Sequence, residues 1–130
     1  MISQLRAPAA VAGIDPATAS AEIDLAAFRS NVAALKAHAG VPVMVVVKAD
    51  GYGHGILACA REARAARAEW LGVATPTEAL TLREAGDTGP MLAWLYALDE
   101  DLTPLVAADV DLQFWELLLV RPLAEGALVQ

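Results

Sequence analysis

The sequence predicts an α/β fold built on parallel strands, and three observations carry that prediction. Short β-branched apolar runs alternate along the chain with stretches of Ala, Leu, Arg and Glu that favour helix. The run Val43-Met44-Val45-Val46-Val47 is apolar on both parities, the pattern of a strand covered on both faces. The segments between successive runs are long enough for helical crossovers, which parallel strands require. A right-handed βαβ succession of this kind fits either a doubly wound sheet or part of a (β/α)8 barrel.

Each element has a local reason. Residues 1–20 hold Pro8, Gly13 and Pro16 and follow neither period, so they are expected to be a loosely ordered leader. Residues 21–25 alternate acidic with small or apolar side chains and suit a short half-exposed strand. Asp24 is placed to cap a helix whose apolar stripe is Leu25, Phe28, Val32 and Leu35. Gly40 stops that helix and Pro42 prevents its continuation. The strand 43–47 follows, then a turn punctuated by Gly51, Gly53 and Gly55. A helix is predicted over 56–68 and a second strand over 70–74. Thr75-Pro76-Thr77-Glu78 is a helix start, with Thr as cap, Pro at the first position and Glu three residues after the cap. That helix should run to about Ala85 and stop at Gly86. A third strand is expected over 91–96, a short helix from Thr103 to near Ala108, and a fourth strand over 110–112. Residues 113–130 do not resume the alternation and read as a divergent tail.

Composition narrows the functional classes. At 130 residues the chain fits one domain, and 57% hydrophobic residues argue against general disorder. A formal charge of -7 lacks the basic face that nucleic acid or an anionic membrane would need. The single cysteine, Cys59, allows no internal disulfide and suits a reducing compartment; with no apolar stretch long enough to span a bilayer, a cytoplasmic protein is expected. The two histidines, His38 and His54, do not pair with Asp, Glu or Cys at ligand spacing, so no metal is expected.

The chemistry concentrates in Val46-Val47-Lys48-Ala49-Asp50-Gly51-Tyr52-Gly53-His54-Gly55. In parallel α/β folds the C-terminal strand ends carry the reactive groups, and a lysine there can form a Schiff base. Judged on type and place alone, a strand-end lysine is more often a surface lysine. The glycines would allow backbone amides to approach an anion, and the Tyr52 phenol could hydrogen-bond a phosphate. His54 could titrate or serve a structural hydrogen bond, and Asp50 could cap the turn or the helix. Trp94, in the third strand, could be core or face the pocket.

This ten-residue stretch resembles the pyridoxal-phosphate attachment motif of alanine racemases. Ala21-Glu22-Ile23-Asp24-Leu25 with Asn31, and Trp70-Leu71-Gly72-Val73-Ala74 followed by Glu78-Ala79 and Leu82-Arg83, are similar to other parts of that family. The resemblance covers about residues 20–112. It implies the N-terminal portion of a (β/α)8 barrel, truncated here after about four strands, in a homodimeric enzyme that interconverts L- and D-alanine and supplies D-alanine for peptidoglycan. Lys48 would then hold the cofactor as an internal aldimine and act as acid/base on one face. Tyr52 would bind the cofactor phosphate, and Trp94 would fall, by its spacing from Lys48, at a cofactor contact. The base of the opposite face is expected outside these residues, so the 130-residue chain alone is not expected to racemise alanine. Another pyridoxal-phosphate-dependent racemase of the same fold, or a non-catalytic remnant, remain alternatives.

Overall fold

The computed structural model describes residues 21–97 and 99–113. The expected leader, and the expected tail apart from Gln113, lie outside the described residues. Helix α1 spans Leu25–Ala39, with the Asp24 carboxylate accepting the Ala27 amide at 2.9 Å and Gly40 closing the other end at φ 65°. Strand β1 is Met44–Val46, followed by the helical turn α2, Lys48–Tyr52, and helix α3, Ile56–Ala65. Strand β2 is Trp70–Val73, α4 Pro76–Glu84 and β3 Met91–Ala93; α5, Thr103–Ala107, and β4, Asp111–Leu112, complete the described elements.

The four strands form one sheet in the order β1-β2-β3-β4, every neighbouring pair parallel. Sequential order with helical crossovers is the arrangement of the opening strands of a (β/α)8 barrel rather than of a doubly wound sheet, in which the order reverses.

Strand alternation divides the sheet between two environments. Leu71, Val73, Met91 and Ala93 are fully buried on the face covered by the helices. There they meet small residues of α3 and α4, Ala60, Ala63 and Ala79, which let the helix backbones approach closely. The other parity, Met44, Val46, Gly72 and Leu92, forms the opposite face. In the register, Val46 stands opposite Gly72 and Gly72 opposite Leu92.

Four sequence expectations change. Residues 21–25 form no strand; only an isolated bridge at Ile23 remains. The third strand ends at Ala93 instead of 96, because the Trp94 and Leu95 amides both turn onto the carbonyl of Ala74, at 3.3 and 2.7 Å, and the ladder cannot continue. Helix α3 stops three residues early, where Arg67 adopts φ 64° and the Ala68 amide closes back onto Ala63 O at 3.0 Å. The stripe of α1 is also narrower than its spacing suggests: Val32 is buried, but Leu35 is 66% exposed. Arg29 and Lys36, on the same side as Val32, reach across to Glu62 and Glu69 instead.

Candidate active site

At the C-terminal end of β1 the Val47 amide still donates to Gly72 O, at 2.8 Å, so the strand holds its place in the sheet up to the residue before Lys48. The chain then does something uncommon for L-residues. Ala49, Asp50, Gly51 and Tyr52 all have positive φ, between 52° and 63°, and make a left-handed helical turn. Gly51 N–H donates to Val47 O at 2.9 Å and Gly53 N–H to Ala49 O at 3.0 Å, closing the turn by i→i−4 bonds. For residues other than glycine this hand costs about 1–2 kcal/mol each, and such strain persists only where surrounding contacts over-determine it.

Those contacts are visible. The Asp50 carboxylate accepts the first amide of α3, Ile56 N–H, at 2.8 Å, while Asp50 O accepts Gly55 N–H at 2.8 Å. Asp50 therefore satisfies the first backbone donor of α3, whose N-cap residue, Gly55, has no side chain to do so. His54 Nδ1 lies 2.8 Å from Gly51 O, a local structural hydrogen bond. Gly51 has two reasons to be glycine: φ of 63°, and a Cβ that would lie 3.0 Å from the sulfur of buried Cys59. Burial, with the nearby Asp50 carboxylate, pushes the Cys59 thiol above its ordinary range, as expected of an inert packing residue.

This geometry revises one sequence reading. The amides of Gly51, Gly53 and Gly55 donate to Val47, Ala49 and Asp50, so the glycines spend them within the turn and offer no nest to an anion. What the turn presents instead is side chains. Lys48 is half-buried, with Nζ 5.9 Å from the centroid of the Tyr52 ring, and Tyr52 is 58% exposed. Trp94 follows the C-terminal end of β3, half-buried on the face that carries Gly72. Its ring and the Met44 sulfur both lie 2.9 Å from where a Gly72 Cβ would stand. Glycine at 72 is what allows the two side chains to come this close to the strand backbone.

One residue here was read too narrowly from sequence. Glu78 forms the expected capping box with Thr75, but its carboxylate does more. Oε2 accepts the amides of Ala74 and Thr75 at 2.8 and 3.1 Å, and Oε1 accepts the amide of Ala49, 29 residues away, at 2.7 Å. The capping pattern gave the near contacts; no local signal announces the far one. Among the described residues no group of three or more His, Cys, Asp or Glu side chains could hold a metal, and no helix is long and apolar enough to cross a membrane.

A sequential parallel β/α sheet, with a lysine delivered at the end of its first strand beside an exposed phenol, defines the opening of a lysine-bearing (β/α)8 barrel. The family described as alanine racemase, N-terminal domain, matches residues 23–127, and this chain belongs to the alanine racemase family. It is 56% identical over 93 residues to an alanine racemase of Frankia casuarinae, covering 71% of this chain and 24% of that protein. A Mycolicibacterium smegmatis alanine racemase is 55% identical over 96 residues, 73% of this chain and 25% of that protein. Among solved structures, the alanine racemase of Streptomyces coelicolor A3(2) superposes with a TM-score of 0.66 at 48% identity, over 69% of this chain and 25% of that one. The enzyme of D-cycloserine-producing Streptomyces lavendulae gives 0.69 at 45% identity, over 75% and 27%. The chain thus spans about a quarter of the length of the relatives it matches.

Proposed function

We propose that this chain supplies the cofactor lysine of a pyridoxal-phosphate-dependent alanine racemase, with Lys48 as the attachment and proton-transfer residue. The observation that carries this reading is Lys48 at the C-terminal end of β1, beside Tyr52, within the stretch that matches alanine racemases. The residues suit the cofactor: an amine for its aldehyde, an exposed phenol in Tyr52 for its phosphate, and an aromatic, Trp94, just beyond the C-terminal end of β3. When bound, pyridoxal phosphate supplies the electron sink that makes an amino-acid α-proton removable near neutral pH.

Lys48 takes or returns that proton on one face. Racemisation needs a second group on the opposite face, which we assign to the remainder of the enzyme, so the 130-residue chain alone turns over no alanine. By the same reading the enzyme is a cytoplasmic homodimer whose D-alanine serves peptidoglycan synthesis.

Titrating pyridoxal phosphate into the full chain tests the assignment. The absorbance change of a lysine adduct is expected to survive Lys36→Arg and to disappear in Lys48→Arg. An equal change in both variants would contradict it.

A further inference from the structure

The Glu78 carboxylate sits between two loops at the C-terminal end of the sheet. One is the β2–α4 junction, where it accepts Ala74 N–H and Thr75 N–H. The other is the left-handed turn, where it accepts the amide of Ala49, the residue next to Lys48. Ala49 is itself left-handed, at φ 52°, so the bond anchors the residue at which the turn takes up its unfavourable hand. A single rigid carboxylate on a capped helix thus holds the unfavourable backbone hand at the base of the lysine.

We propose that Glu78 is a positioning residue for Lys48: its bond to the Ala49 amide locks the left-handed turn and thereby fixes where the lysine amine is presented. The role rests on the reading of Lys48 as the cofactor lysine. It goes beyond the capping box, and the chemistry of glutamine separates the two. A capping box is satisfied by Glu or Gln alike, since one side-chain oxygen reaching back to the N-cap amide suffices. The Ala49 bond needs the second oxygen. In Glu78→Gln that position is an NH2 facing an N–H, so helix α4 keeps its cap while the turn loses its clamp.

The test compares the full chain with its Glu78→Gln variant by amide hydrogen exchange and by borohydride trapping of pyridoxal phosphate. Exchange at Ala49 is expected to accelerate at least about tenfold, the loss of one charge-assisted hydrogen bond, with the amides of α4 still protected. Trapped pyridoxyl-lysine at position 48 is expected to fall by a similar factor, while Lys36 is unaffected. Unchanged exchange at Ala49 would overturn the clamp. Faster exchange with undiminished trapping at Lys48 would overturn its role in presenting the lysine. Should the unsubstituted chain trap nothing at Lys48, the cofactor reading fails instead, and the exchange data still decide whether Glu78 holds the turn.

Discussion

The two ends of the sheet use their cations in opposite ways. At the N-terminal end, three cations near the strand starts, Lys36, Arg64 and Arg83, are committed to holding loops. Lys36 of α1 donates to Arg67 O at 2.5 Å and pairs with Glu69. Arg64 reaches Glu69 O and Pro90 O, both at 2.9 Å, and grips Asp87 with two nitrogens at 2.8 and 3.0 Å. Arg83 bonds Ala108 O and Asp109 O at 2.8 Å and shares Asp87 at 3.1 Å. These fans of donors satisfy carbonyls in the segments that enter β2, β3 and β4. At the C-terminal end, Lys48 lies over an aromatic ring, and carboxylates instead of cations organise the backbone: Asp50 accepts the first amide of α3 and Glu78 bridges two loops. One end of the sheet is tied together by cations, and the other presents the lysine that we propose for the chemistry, the division expected of a (β/α)8 barrel.

The contrast can be broken at either end. The largest effect is expected from Gly51→Ala, which places a Cβ against Cys59 in a left-handed backbone; a loss of about 2–4 kcal/mol in denaturant unfolding combines backbone and overpacking costs. The lysine end would lose order first, so trapping at Lys48 should fall more than global stability. Next comes Asp87→Ala, which strips the carboxylate shared by Arg64 and Arg83, itself only 12% exposed. About 2–3 kcal/mol should be lost, leaving two half-buried guanidinium groups underpaired, with little change at Lys48.

The smallest effect is a pH dependence. Lys36, together with the Val43 amide, holds the Glu69 carboxyl down to about 2 from its ordinary 4.5. A carboxylate with a lowered folded-state pKa stabilises above the ordinary value and loses that contribution as protonation sets in. The stability advantage over Glu69→Gln should therefore be complete above about pH 4.5 and fade towards pH 2. A constant advantage across that window would detach Lys36 from Glu69.

Much of this was legible in the sequence. The both-parity apolar run gave β1, Thr75-Pro76-Thr77-Glu78 gave the start of α4, and the stretch around Lys48 pointed to the family. What was not legible has physical causes. The hand of the turn after Lys48 is invisible because Ala49 and Tyr52 have no intrinsic preference for positive φ; three glycines suggest freedom, not a left-handed helix. The reach of Glu78 to Ala49 depends on β1 and β2 being neighbours, a tertiary fact. The early end of β3 depends on Ala74 O accepting two amides, again a matter of the strand beside it. Local chemistry announced the lysine, and long-range packing decided how it is held.

Because the chain contains two lysines treated so differently, their reactivity measures the central claim directly. After incubation of the full chain with pyridoxal phosphate and borohydride reduction, peptide mapping should place the pyridoxyl group on Lys48 in large excess over Lys36, which Glu69 and Arg67 O hold in place. Equal labelling of the two lysines, or preference for Lys36, would contradict the assignment of the β1 end as the cofactor site.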